Sequence, residues 1–253
     1  MIKNIAIIIF LIISICLSVR MEVYEPLLDF SIYHLLGTDE FGRDLLLVFI
    51  ASAGLSLIKG ICWAIIVSII SGILSYFLIV TKKYFVSNIL RAIFNMIESC
   101  PVILWVFLIV ASLYYLPLYF SVTIAFVLGA SPFAINVISG EFERLWDADY
   151  VRAARLTGIT EFLIVKRYIL KNAIPILLPL TIHITGIALA IDGAMGVIGL
   201  GNRSRLDLGI LLLRGKEQIL VRPYILMITV AIFILIYLYL RQIIKTLKGP
   251  VTR

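Results

Sequence analysis

Long apolar runs separated by short polar stretches dominate this chain of 253 residues. The runs are continuous and lack the every-other-residue alternation of a membrane barrel, so they predict helices. A helix of about 20 mostly apolar residues crosses a bilayer. Six segments fit that role: Ile5–Val19, Leu55–Val80, Val102–Leu116, Tyr119–Ser139, Ile176–Ile198 and Tyr224–Leu240. The first is short, and Leu116, Pro117 and Leu118 predict an outer turn between the third and fourth. The pattern predicts an all-α polytopic membrane protein with one transmembrane domain over residues 1–253. Residues 1–54 would hold the first span and the loop after it, and 55–240 the core spans with a polar loop at 141–175.

Composition supports this class. A mean hydropathy of +1.11 with 15% charged residues excludes an ordinary soluble domain. The N-terminal run, with Lys3, an apolar core and Cys16, resembles a secretory or lipoprotein signal. Ile15 before Cys16 is too large for lipoprotein cleavage and no A-x-A pattern follows, so an uncleaved first span is expected. Cys16, Cys62 and Cys100 sit in apolar segments without CxxC pairing and read as small hydrophobes. His34 and His183 lack ligand companions at metal spacing, so no metal site is expected.

Charge changes the picture through its distribution. With six spans and both termini cytoplasmic, fourteen Lys and Arg residues fall inside, among them Lys3, Lys82, Lys83, Lys248 and Arg253. Seven fall outside: Arg20, Arg43, Arg203, Arg205, Arg214, Lys216 and Arg222. That asymmetry follows the positive-inside rule. The basic net charge of +7 is therefore a matter of topology, with no support for nucleic-acid binding.

The densest charge lies from Glu141 to Asn172. Two short helices fit Asp147–Asn172, with Asp147, Asp149 and Thr160 as capping candidates, Gly158 as the break, and Pro175 marking re-entry into the membrane. Ala153 and Ala154 would permit close approach of a partner, and Arg152 and Arg155, three apart, would share a face. The segment reads as a lever tied to two spans. Asp192 is an acid well inside a span, where such groups line a polar cavity or find a partner. Around it, Gly186, Ala190, Gly193, Ala194, Gly196 and Gly199 make a small-residue face suited to helix packing, expected to meet another subunit. Ala64, Ser68 and Gly72 make a similar face on the second span.

The run YVRAARLTGITEFLIVKRYILKNAIP resembles the coupling-helix signature, the EAA loop, of permease subunits of ABC importers. Ala153, Ala154, Gly158, Ile169 and Leu170 match it, while Arg152 replaces the glutamate and Lys171 the first proline. The resemblance implies that this segment, with Arg152 and Arg155, couples the spans to a cytoplasmic ATPase. LLGTDEFGRDLL resembles the G-T-D-x-x-G-R-D signature of the peptide/nickel branch, through Gly37, Thr38, Asp39, Gly42, Arg43 and Asp44. Physically, Thr38 and Asp39 could cap a helix start and Arg43 could pair with a flanking aspartate, so structural roles are expected. IGLG at 198–201 with DLG at 207–209 also follows the family, as do Arg91, Asn95 (for an aspartate) and Pro101. Ser52 and Gly54 replace a glycine and an arginine, and the family's C-terminal pattern is missing, which marks a divergent member. The family commonly carries a glutamate at Asp192, implying a pathway-lining or interface role.

No P-loop occurs: Gly215–Lys216 lacks the preceding glycine, and Glu217 stands where Ser or Thr belongs. The resemblance therefore implies a non-enzymatic permease without its own cofactor, with ATP and Mg in partner ATPase subunits. It further implies a second homologous permease, an extracytoplasmic substrate-binding protein and a place in the bacterial inner membrane. Small peptides, nickel or nickel chelates are the implied substrates, with peptides favoured. The alternative is a self-contained secondary transporter or channel, which inverted repeats would favour; no corresponding halves are visible.

Overall fold

The structure is a computed structural model and describes residues 2–29, 31–80, 84–201 and 203–247. Its order is α1 (Ile2–Val19), α2 (Leu45–Val80), α3 (Tyr84–Glu98), α4 (Val102–Ser112), α5 (Leu118–Trp146), α6 (Asp149–Leu156), α7 (Glu161–Ile164), a π turn (Val165–Ile169), α8 (Leu170–Ile198), α9 (Leu208–Glu217) and α10 (Pro223–Leu247). The protein is all-α, and among the described residues the one β contact is an isolated bridge between Thr38 and Asp44.

Four stretches are long and apolar enough to cross a membrane: Leu45–Val80, Leu118–Trp146, Glu161–Ile198 and Pro223–Leu247. They correspond to the second, fourth, fifth and sixth expected spans. The third differs, because α4 has only 11 residues. It continues from α3 through a 91° bend, which allows a broken span. Pro101 sits at that bend, where its fixed φ suits the residue before a helix. The expected first span falls on α1, an 18-residue helix whose apolar stretch Ile9–Val19 is shorter than the four spans. The second begins at Leu45 and not Leu55, since Leu45–Gly54 is itself apolar and continues the helix.

The chain forms two compact units, with α2, α8 and α10 contributing residues to both. In the unit of Met1–Gly60 and Gly186–Tyr239, the core is Leu45, Val48, Phe49, Ala53, Leu208, Leu211 and Ile225. α1 closes on α2 through Ser14, whose hydroxyl donates to the Ile50 carbonyl (3.1 Å). In the unit of Ile61–Thr185 and Leu240–Arg253, α5 is central, burying Ala125, Phe126, Ala134, Ile135, Ile138 and Phe142. Trp63 stacks on Phe126 at 5.2 Å, and Ser71 and Ser75 donate to the carbonyls of Ser131 (3.2 Å) and Ile135 (3.3 Å). Hydroxyls facing carbonyls satisfy polar groups that lipid cannot. Ser68, on the small-residue face of α2, shares a hydrogen bond with Thr181 of α8 at 2.8 Å.

Candidate functional site

The polar loop forms a bent turn between two long helices. α6 leaves α5 at Asp147–Ala148, and Gly158 then adopts φ +80, a left-handed conformation that glycine takes without Cβ strain. The expected break at Gly158 is therefore present. Three details differ from expectation. The second short helix does not stand apart: α7 runs through the π turn into α8, giving one helical stretch Glu161–Ile198. Pro175 and Pro179 lie inside α8 and do not end it, as membrane helices tolerate when neighbours re-satisfy the backbone. The capping side chains are unused too. Ala148 is the N-cap of α6, Thr160 occupies the α7 cap without a side-chain bond, and Asp149 sits in the first turn, where its charge favours the helix N-terminus.

The candidate coupling residues divide by face. Ala154 is 7% exposed, and Val151 and Ile169 are fully buried, so they hold the turn against its own unit. Arg152, Ala153, Gly158 and Leu170 are exposed. Arg155 does not join Arg152: its guanidinium lies 4.1 Å over the Trp146 ring and donates to the Trp146 carbonyl (3.1 Å). Two residues not singled out from the sequence dominate the free surface, Leu156 (90% exposed) and Phe162 (62%). Both are large apolar side chains that stand open on the turn.

The segment between α1 and α2 explains its signature. Gly37 (φ +75) and Gly42 (φ +73) turn the backbone where a Cβ would lie 2.3 Å from the Leu28 carbonyl oxygen and 2.1 Å from that of Tyr24. Thr38 is buried and caps no helix; its hydroxyl donates to the Glu25 carbonyl (2.7 Å) and accepts from Leu28 N–H (2.8 Å). Asp39 accepts from the N–H groups of Phe41 and Arg43 (2.9 Å each), from the Arg43 guanidinium (2.9 and 2.7 Å) and from Arg214 (3.0 Å). Burial alone would raise the Asp39 carboxyl, but Arg43 outweighs it and holds the group below its ordinary value. The cap of α2 is Asp44, which accepts from Leu46 and Leu47 N–H (2.9 and 3.3 Å) and meets His34 Nδ1 at 3.0 Å. Arg222 completes the segment by donating to the carbonyls of Thr38 (3.0 Å) and Leu27 (2.6 Å). Arg43 pairs with a flanking aspartate, Asp39, and the cap of α2 is Asp44 in place of Thr38 or Asp39.

Asp192 is buried, and Lys59 of α2 reaches both it and Asp207, the N-cap of α9. Sequence reading missed Lys59. The available signal was a lysine in the apolar core of a span, which needs a partner as much as an acid does. The small-residue face around Asp192 is partly occupied within the chain, with Gly193 against Phe233 and Gly196 against the backbone of Gly209.

Long apolar helices, a hydrogen-bonded segment between the first two, and a rigid polar turn between two of the longest define a multi-pass α-helical membrane protein. Residues 68–247 match the family of binding-protein-dependent transport system inner membrane components, and the chain belongs to that family. A protein of Brucella suis biovar 1 named as a peptide transport system permease is 31% identical over 185 residues, covering 73% of this chain and 60% of the relative. The di/tripeptide transport system permease protein DppC of Pseudomonas aeruginosa is 30% identical over 168 residues, covering 66% and 54%. The chain thus spans about three fifths of the length of the first curated relatives it matches. Among solved structures, an amino acid ABC transporter crystallised with histidines shares the fold, with TM-score 0.62, 17% identity and coverage of 81% of this chain and 94% of that one.

Proposed function

We propose that the chain is the permease subunit of an ATP-driven importer of small peptides, coupled to a separate ATPase through the α6–α7 turn. The exposed Leu156, on a turn built into two long helices, carries the reading. A partner that seats on Leu156 and Phe162 moves α5 and α8 directly, because α6 is joined to α5 by two residues and α7 is continuous with α8. Family membership supports import, and the names of the relatives support peptides as cargo. In this reading Arg152, Ala153, Gly158 and Leu170 frame the docking face, while Ala154, Arg155 and Ile169 brace it from behind. Both termini are cytoplasmic, and the segment between α1 and α2 is extracytoplasmic.

The assembly then needs ATPase subunits that bring ATP and Mg, a second homologous permease completing the pathway, and an extracytoplasmic binding protein that delivers peptide. Co-expression with candidate ATPases, copurification and reconstitution into liposomes tests the reading. ATP-dependent uptake of a dipeptide is expected. Uptake without ATP by this chain alone would replace it with a secondary transporter.

A further inference from the structure

The start of α9 is stitched to two long helices at once. Ser56 and Lys59, three residues apart on α2, share a face. The Ser56 hydroxyl accepts from Leu208 N–H (3.0 Å) and donates to Asp192 Oδ2 (3.4 Å). The Lys59 ammonium bridges Asp192 of α8 and Asp207 at the α9 cap. Backbones also meet here. A Cβ on Gly196 would lie 2.0 Å from the Gly209 carbonyl oxygen, and one on Gly209 would lie 2.4 Å from that of Asp192. The far end of α9 is held the same way, by Arg214 donating to Asp39 (3.0 Å) and to the Arg203 carbonyl (2.5 Å), and by Gly215 abutting the Leu226 backbone.

Each acid at the start of α9 has a partner within the chain. One ammonium serves two carboxylates, and all three side chains are between 10% and 19% exposed. A helix N-terminus supplies roughly half a positive charge, and Gly209 N–H donates to Asp207 at 2.8 Å. Asp207 is therefore supported by α9 as well as by the Lys59 ammonium that it shares with Asp192. Each acid thus has a partner within the chain, with one ammonium between two carboxylates.

We propose that Lys59 is a positioning residue whose ammonium, shared by Asp192 and Asp207, fixes α9 against α2 and α8, so that the three move together during transport. Asp192 then acts through Lys59 and does not meet the substrate. The inference rests on the permease reading above.

The test uses the reconstituted complex and measures dipeptide transported per ATP hydrolysed, together with KM. Asp192→Asn leaves one ammonium facing one carboxylate, a balanced cluster that should assemble. A fall of about tenfold in peptide moved per ATP, with KM unchanged, is expected. Lys59→Met/Asp192→Asn/Asp207→Asn removes these three charges at similar volume and should show the same loss, whereas Lys59→Arg, which keeps the cation, should retain most of the ratio. A change confined to KM would place Asp192 on the substrate and overturn the proposal. Wild-type coupling in both neutral variants would overturn it as well, and so would failure of both to assemble, since the cluster would then be a folding requirement. Absence of ATP-driven uptake by the wild-type complex would instead sink the permease reading itself.

Discussion

Leu156→Ala isolates the docking surface from the fold. The wild-type side chain is 90% exposed, so truncating it removes almost no contact within the chain. Stability of the permease should stay within about 0.5 kcal/mol of wild type, as for other surface changes. If an ATPase groove covers this leucine, the substitution removes three buried carbons at about 0.8 kcal/mol each, or roughly 2.4 kcal/mol. At about 1.4 kcal/mol per tenfold, association should weaken roughly 50-fold.

The assay is titration of the purified ATPase against permease in detergent or nanodiscs, read by copurification and by peptide-stimulated ATP hydrolysis. Weakened association should raise the ATPase concentration needed for half-maximal stimulation while leaving the maximum near wild type. Phe162→Ala, on the neighbouring helix, should act in the same direction. Unchanged association in the Leu156→Ala/Phe162→Ala double variant would show that no partner covers this face, and the coupling argument would fail.

Other substitutions separate bracing from docking. Ala154→Trp should act on the fold, since Ala154 is buried against its own unit; overpacking of about 1–3 kcal/mol should appear as a lower Tm even without ATPase. Gly158→Ala forces a Cβ into a left-handed backbone at φ +80, at a cost of about 1–2 kcal/mol. Faster hydrogen exchange across 149–164 should follow, with Gly158→Asn milder. Asp39 has a depressed folded pKa, so its contribution is complete above the ordinary carboxylate value of 3.8 and lost as pH falls through the lower folded value. Protease resistance of the segment 20–44 should therefore stay flat from about pH 8 to 5 and fall only below about pH 4; a drop near neutrality would refute the Asp39–Arg43–Arg214 account.

The long spans were legible because a continuous apolar run has few other fates in lipid. The exceptions were local. α3 escaped notice because Tyr84–Glu98 mixes Ser87, Asn88, Arg91 and Asn95 with apolar residues, a one-sided pattern that resembles a loop when only full spans are sought. The turn at Gly158 was readable, since its left-handed backbone follows from glycine chemistry. Which alanine faces out was not readable, because α6 has only eight residues and its rotation is set by how Trp146 and Arg155 join it to α5.

The buried charges mark the deeper limit. Lys59 meets Asp192 and Asp207 across 133 and 148 residues, and Arg214 meets Asp39 across 175. No local periodicity encodes such pairs. Arg214 and Arg222, counted from sequence as loop cations that set orientation, are only 4% and 9% exposed and hold the segment between α1 and α2 in place. The same logic bears on Asp192. An acid inside a span invites a substrate as its partner only while no internal cation is known. Lys59 beside it, shared with Asp207, supplies a cation from within the chain, and this is why the proposal assigns Asp192 to what holds α9.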